Sequence, residues 1–589
     1  MSHFLFTFPP DVFPISPYIA PILLSSILKE NGYNSFVVDL NAEFHNSCTY
    51  SKDFLLKRYE VFKEIISSIK SSNYIFSDSN EKYIYSKFFT YFEKEVDDEK
   101  IQDVVENLKE SIKTIKSEDF YCMERFQKAL TCLNKAEVFL YSMFFIHPFL
   151  LNYLTHNFSI LDYFVCNEKL NPFYDFYYEK IKNGYFDKYD YVLISQAFPL
   201  QNFGGWTLAY LLKKYTKVKV VWGGNYPSRI SETLINNVKI FEDYFDYALL
   251  GLGEESILKF ANYVHGKTSI NEVSGLMWKE KDKVMHNPQK TFLDDTQKRQ
   301  NLSFEGINFK DYLIPEVIVP IQVSKGCPWA KCTFCIFHEG KTKYQIIPPK
   351  KAALEIKHIY DNYGITKFEF VDESLSPNYY YEFAKEIINL KIDISYYGFA
   401  RYDNGFTKEI LETMYKSGFK VFEWGYETPT KRVMEIYNKG IDIDSRNTIM
   451  KRANEAGIWN HCLTITDVPF ETKEEILYDY ETYLNDSDII NSRLTVPFRL
   501  YKKAPLLKDA TKYNMTNLKD LGDLSIKYSY ERIISKDIMK DEDIIRKDNE
   551  LKEHYKNSTW TSISASFDEY LFLYVQKYGL DKCKTGLQD

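Results

Sequence analysis

The run Val317-Ile-Val-Pro-Ile-Gln-Val323 continues into Ser324-Lys-Gly-Cys-Pro-Trp-Ala-Lys-Cys-Thr-Phe-Cys335. Its first seven residues have the apolar character of a buried strand. The second part places Cys327, Cys332 and Cys335 on one tight loop. Cysteine is the ligand type that suits iron–sulfur clusters and zinc. Three thiolates leave the fourth position of a tetrahedral centre open, as an iron–sulfur cluster with one free iron requires; a structural site is usually closed by four ligands. The competing reading is a zinc site made of Cys327, Cys332, Cys335 and His338, three residues beyond the last cysteine. The other six cysteines (Cys48, Cys122, Cys132, Cys166, Cys462 and Cys583) are scattered without a disulfide framework, which favours a reducing compartment.

Around that loop, βα units repeat. Helix, strand and helix are expected over 352–363, 367–371 and 378–390, then a strand over 395–399 and a helix over 407–416. A strand over 421–424, a helix over 442–456 and a strand over 460–466 follow. About six units fit a partial (β/α) barrel whose chemistry lies at the carboxyl ends of its strands. Upstream, Phe4–Phe8, Pro17–Asn31 and Phe36–Asp39 read as a βαβ unit with parallel strands. The rhythm breaks over 45–185, where helical spacing marks an inserted helical subdomain. It resumes with strands at 191–195, 218–222 and 247–250, each followed by glycines and a helix. Ligands in such sheets bind outside the carboxyl ends of the strands. A Gly-x-Gly-x-x-Gly dinucleotide motif after the first strand is absent.

The cysteine loop and the βα units that follow resemble the radical S-adenosylmethionine (SAM) superfamily. The spacing departs from that family's Cys-x3-Cys-x2-Cys by one extra residue between Cys327 and Cys332, which a loop absorbs at little cost. The resemblance implies a [4Fe-4S] cluster on Cys327, Cys332 and Cys335. It also implies SAM contacts at Phe334, Asp372, Glu373, Ser374, Arg401, Glu427, Pro469 and Glu471. Gly425-Tyr-Glu427-Thr428 is similar to the family's Gly-x-Glu-Ser. Asp467-Val-Pro-Phe-Glu471-Thr472 is similar to its Gly-x-Pro-x-Glu-Thr, with Asp467 in place of the glycine. For Asp372 and Ser374, helix capping is an equally physical reading; for Arg401, so is a surface ion pair.

The N-terminal segments resemble the cobalamin-binding domain that precedes many radical SAM domains. The resemblance places cobalamin contacts at Pro9, Pro10, Asn41, Ser195, Gly223, Gly224, Asn225, Gly251, Gly253 and Glu254. No Asp-x-His-x-x-Gly occurs, so binding without a histidine below the cobalt is implied. The alternative is an α/β domain that binds nothing.

The expected organisation is α/β throughout. A Rossmann-like domain spans 1–44 and 186–270, a helical insertion 45–185, a linker with a β-segment 271–315, the radical SAM barrel 316–500, and a helical cap over the substrate site 501–589. At 589 residues, with net charge −8 and pI about 5.8, the chain has no general attraction to nucleic acid. No apolar run reaches the ~20 residues of a membrane span, and Met1–Phe8 lacks the basic start of a signal peptide. The resemblance leads to a cytoplasmic, monomeric, cobalamin-dependent methyltransferase. It acts on an unactivated carbon of a small-molecule or peptide substrate, and flavodoxin or ferredoxin supplies the electron. The alternatives are a radical SAM cyclase, epimerase or rearrangement enzyme without methyl transfer, and a zinc-stabilised binding protein.

Overall fold

A computed structural model describes residues 2–91, 93–146, 155–289, 301–336, 344–533, 538–556 and 567–585. The chain forms two compact units: 1–290 with 302–315 and 522–525, and 291–301 with 316–521 and 526–589. Among the described residues no helix is long and apolar enough to cross a membrane.

The first unit is built on a seven-stranded sheet, β2-β1-β3-β4-β5-β6-β7. Its strands are β1 (His3–Phe8), β2 (Asn34–Asp39), β3 (Tyr191–Ser195), β4 (Lys219–Gly223), β5 (Tyr247–Leu249), β6 (Leu276–Glu280) and β7 (Lys283–His286). β1 to β5 are parallel. Phe4, Leu5 and Phe6 are almost fully buried, as a strand covered on both faces requires. The order reverses at β1, so the gap between β1 and β3 is a topological switch point. β6 and β7 add antiparallel to β5. The linker with a β-segment expected over 271–315 carries these two strands in its first half. Its second half is held by Tyr312, whose hydroxyl donates to Asp39 at 2.8 Å.

The segment between β2 and β3 is built of helices. Asp98–Ile115 buries Ile101, Val104, Val105 and Leu108 along one stripe and packs on Met123–Ser142, which turns Phe126, Ala129, Leu133 and Ala136 inward. Its anchor is polar. The Tyr141 hydroxyl donates to the Asp11 carboxylate on the loop after β1, and His45 Nε2 lies 2.7 Å from Asp11 Oδ1. Burial alone would depress the His45 imidazole, but the Asp11 carboxylate outweighs it and raises its pKa.

The second unit carries a six-stranded sheet, β15-β14-β13-β12-β11-β8, parallel throughout. β8 is Ile318–Ile321; a short hairpin pairs β9 (Ser324–Lys325) with β10 (Gln345–Ile346). β11 (Lys367–Phe370), β12 (Ser395–Ala400), β13 (Phe419–Glu427), β14 (Trp459–Thr466) and β15 (Ser492–Pro497) follow. Helices Pro349–Tyr363, Pro377–Leu390, Lys408–Lys416, Lys431–Tyr437, Ile443–Glu455 and Lys473–Asn485 connect them. Local chemistry sets their ends: Thr472 caps the last of these, with Glu475 completing a capping box. The period-2 pattern of β11 and β13 sends Phe370, Phe422 and Trp424 into aromatic packing with Tyr380, Phe383 and Phe406 on the helix side. Glu369 and Glu423 consequently point the other way, into the sheet's concave face.

The expected all-helical cap over 501–589 is corrected. β16 (Leu500–Tyr501), β17 (Met515–Asp520) and β18 (Lys527–Arg532) form an antiparallel sheet, because Lys527-Tyr-Ser-Tyr-Glu-Arg532 alternates with the period of a strand. Leu500, Leu506 and Met515 share a core with Val433, Tyr437 and Val468, against which Phe334 packs. The last helix, Asp568–Thr585, lies at the opposite end of the strands from the cysteine loop. Gln576 lines a cavity of about 460 Å³ with the segments that enter β12 and β13. Lys584 Nζ donates to Asp488 O, ahead of β15, at 2.7 Å.

That helix meets an acidic interior. Phe572 packs on Tyr397 of β12 with ring centroids 4.8 Å apart, and Asp568 Oδ1 lies 3.4 Å from His461 Nε2 of β14. Glu423 is 1% exposed, and among the described residues neither carboxylate oxygen has a hydrogen-bond partner. Burial, then Asp568, Glu369 and Glu569, push its pKa well above the ordinary carboxylate value. Burial pushes Asp568 up to about 7 and His461 down to about 3, so the imidazole is neutral. A carboxyl raised on folding contributes its full stability below its unfolded pKa, near 4.3 for Glu. It loses that contribution as pH climbs toward the folded value. Glu423→Gln removes the loss. We expect its melting temperature to match that of the native protein near pH 4 and to exceed it at pH 8, by roughly 2–4 °C per kcal/mol recovered. Thermal denaturation at the two pH values checks this; a variant no more stable at pH 8 contradicts it.

Candidate functional site

The cysteine loop leaves the carboxyl end of β8, and Asp372 at the carboxyl end of β11 clamps its root. Asp372 is 1% exposed. Its carboxylate accepts the Val323 N–H at 3.1 Å, the Ser324 N–H at 2.5 Å and the Ser324 hydroxyl at 2.6 Å. These contacts make it an organiser of the loop. Ser374 is buried and Glu373 exposed at the same strand end.

Cys327, Cys332 and Cys335 are all half-buried. The Cys335 N–H reaches Cys332 O at 3.4 Å. Burial pushes the Cys332 thiol up, while the Lys439 ammonium pulls it back and the Cys327 sulfur adds to the rise. Among the described residues, no three His, Cys, Asp or Glu side chains converge tightly enough for a single metal ion. A zinc ion requires its ligands to meet at one point, about 2.3 Å from each sulfur. A four-iron cluster gives each thiolate its own iron, and three half-buried thiols on one loop can serve it. His338, the fourth member of the zinc reading, lies outside the described residues.

The carboxyl ends of β12, β13 and β14 complete the rim. Glu427 ends β13 with φ +60° and pairs with Lys439; both side chains are about nine-tenths buried. The Arg401 guanidinium donates to Lys439 O at 2.9 Å and Gly440 O at 3.2 Å. The structure thus brings Arg401 and Glu427 together on the turn Asn438–Gly440. Phe334 packs on Tyr437 with ring centroids 4.6 Å apart.

Asp467 adopts φ +56°, the left-handed conformation that glycine takes most easily. Arg532 Nη2 secures it, donating to Asp467 O at 2.6 Å and to its carboxylate. Pro469 O accepts from Asn514 Nδ2 at 2.6 Å. Glu471 is buried with Oε1 unpartnered, and burial followed by the Asp479 carboxylate raises its pKa to about 9. It stands as a neutral acid, so its carboxyl is a hydrogen-bond donor as well as an acceptor. Sequence reasoning missed Lys439 as the partner of Glu427. The only sign was its place in Asn438-Lys-Gly440.

In the first unit, the candidate residues line the carboxyl edge of the parallel strands. Pro9 and Pro10 follow β1, Asn41 follows β2, Ser195 and Gly223 end β3 and β4, and Gly251 follows β5. Asn225 and Gly251 are exposed, and Gly253 and Glu254 are half-buried at the start of helix Gly253–Val264. Two of these residues also hold the local structure. Gly224 has φ +112°, and a Cβ there would lie 2.2 Å from Gln196 O; that glycine serves strand packing. Asn41 is buried and accepts the Val12 N–H at 2.9 Å. Gly223 has only Leu249 O at 3.5 Å from a would-be Cβ and leaves the edge open. Phe198, unflagged in the sequence, is 47% exposed there, beside Tyr18, which stacks on Phe8 at 4.5 Å. An open switch point with an apolar shelf fits a large flat group. His45 is engaged by Asp11.

Replacing Asp372 with Asn turns an amide against three donors. We expect Asp372→Asn to lower the stability of the second unit by roughly 2–4 kcal/mol, read by thermal or urea unfolding; an unchanged midpoint contradicts the clamp.

Comparison with known proteins places this geometry in context. Residues 321–482 match the radical SAM superfamily. An anaerobic magnesium-protoporphyrin IX monomethyl ester cyclase from Synechocystis is 22% identical over 296 residues, 49% of this chain and 58% of that protein. An uncharacterized methyltransferase from Pyrococcus horikoshii is 23% identical over 285 residues, 46% of this chain and 60% of its own. The chain thus spans under two thirds of the length of these relatives. Among solved structures, the cobalamin- and cluster-bound radical SAM methyltransferase TsrM from Kitasatospora setae aligns with a TM-score of 0.51. The identity is 13%, over 86% of this chain and 77% of that one. The cobalamin-dependent radical enzyme OxsB, with aqua-cobalamin and SAM bound, aligns with a TM-score of 0.51 and 14% identity over 66% and 62% of the two chains.

Proposed function

Because this chain carries a radical SAM domain, we propose that it is a cobalamin-dependent radical SAM methyltransferase acting on an unactivated carbon of a small-molecule or peptide substrate. One observation carries the reading. A three-cysteine loop at the carboxyl end of β8 and an open parallel sheet with its own switch point occur in one chain. When bound, a [4Fe-4S] cluster with SAM supplies a 5′-deoxyadenosyl radical, and cobalamin supplies the methyl group. Cys327, Cys332 and Cys335 would hold three irons and leave the fourth for SAM. Lys439 beside Cys332 favours the thiolate form that ligation needs.

The chain's remaining residues bind and orient. Glu427, paired with Lys439, is an acceptor suited to ribose hydroxyls. Exposed Glu373 suits the methionyl ammonium. Asp372 and Arg401 act on backbone that carries those groups, and Phe334, Pro469 and Glu471 shape the wall beside them. The edge formed by Pro9, Pro10, Ser195, Gly223, Asn225, Gly251, Gly253 and Glu254 would take the corrin, with Asn41 and Gly224 shaping the loops beneath. Flavodoxin or ferredoxin is the proposed electron donor, in the cytoplasm, with the enzyme working as a monomer. A second reading draws on the cyclase among the relatives: radical chemistry on the same site without methyl transfer.

Anaerobic reconstitution with iron, sulfide and hydroxocobalamin tests both. We expect about four irons and one cobalt per chain, loss of the cluster absorption in Cys327→Ala, and a product heavier by one methyl group. Four irons without cobalt, and a product of unchanged mass, would select the second reading. Zinc without iron would overturn both.

A further inference from the structure

We propose that Trp329 is a positioning residue that clips the enlarged cysteine loop to the turn carrying Lys439, so that the Cys327–Cys332 half is held as firmly as the Cys332–Cys335 half. This rests on the cluster reading of the three cysteines. The shorter half is anchored by its own residues: the Thr333 N–H donates to Tyr437 O at 3.0 Å, the Thr333 hydroxyl to Ile436 O at 2.7 Å, and Phe334 packs on Tyr437. The longer half carries the extra residue. Pro328, Ala330 and Lys331 are exposed, and Ala330 sits at φ +49°, a conformation unfavourable for a residue with a Cβ.

Trp329 supplies the missing anchor. Its Nε1–H donates to Asn438 O at 2.6 Å. Arg401 Cζ lies 4.7 Å over the indole ring while the same guanidinium donates to Lys439 O and Gly440 O. Asn438 Nδ2 returns a bond to Lys331 O at 3.1 Å. The turn is shaped to receive the ring: Gly440 has φ +65°, and a Cβ there would fall 2.1 Å from the indole. The clip therefore joins two loops from opposite sides of the rim, one bearing the thiols and the other bearing the Lys439 partner of Glu427. A residue in this place fixes the distance between the cluster end and the ribose end of the site. A tryptophan that merely filled space would leave that distance alone.

The test compares the native protein with W329F, W329A and G440A after anaerobic reconstitution. The readouts are iron and sulfide per chain, the rate of iron loss to a chelator, and the electron paramagnetic resonance spectrum of the reduced cluster with and without SAM. We expect W329A and G440A to keep the native circular dichroism yet lose iron about tenfold faster, the scale of one hydrogen bond with a cation–π contact. We also expect the SAM-induced spectral change to shrink. W329F, which keeps the ring under Arg401 and loses the N–H, falls between. Native rates and spectra in W329A overturn the proposal. Should W329A fail to fold, W329F decides, and a native rate there overturns it. A native protein that takes up no cluster refutes the functional reading and removes the proposal with it.

Discussion

The second unit depends on one carboxylate. Asp372 gathers the N–H groups of Val323 and Ser324 and the Ser324 hydroxyl, at the point where β8 stops and the cysteine loop starts. Buried donors left without acceptors cost more than the bonds return when made. Asp372 meets that demand from a neighbouring strand, so the direction in which the loop leaves the barrel is tied to the sheet itself. Everything further along the rim inherits this origin: the thiols, the Trp329 contact and the turn that presents Lys439.

Charge is distributed unevenly along the strands. At their carboxyl ends, buried ions are paired or multiply hydrogen-bonded, as in Glu427 with Lys439 and Asp467 with Arg532. Toward the other end, Glu369, Glu423, Asp568 and a neutral His461 face one another, and the interior holds protons in place of counter-charges. The same concave face is thus polar at both levels for different reasons. The rim sets opposite charges in pairs, and the floor is closed by the final helix.

Much of this was legible in the sequence because it is local. β1, β3 and β4 are apolar runs bounded by glycine and proline, and Cys327, Cys332 and Cys335 declare themselves by spacing. β15 was missed because Ser492–Pro497 is a partly exposed edge strand without an apolar run to mark it. β17 and β18 read as helical because tyrosines and charges hide an alternation of period 2. Asp372 organises the cysteine loop, and Lys439 partners Glu427, only through contacts between residues 12 to 49 positions apart. A single sequence does not encode such pairings visibly. Glu423 did leave a sign, standing between Phe422 and Trp424 where a carboxylate is out of place.

The insertion between β2 and β3 has a consequence for synthesis. Phe4 pairs with Tyr191 in the sheet, so the first strand of the first unit waits for a partner that lies beyond the whole helical segment. At ~5–20 residues per second, roughly 10–40 s pass before the ribosome has made it. During that interval Phe4-Leu-Phe-Thr-Phe8 is a β-prone segment with one flank unpaired, the kind of stretch that invites association with other chains. The Asp11–Tyr141 and Asp11–His45 contacts can form well before β3 exists. They tie the helical segment to the loop after β1 through residues that are all made before β3, so the interruption of the fold also reorders its assembly.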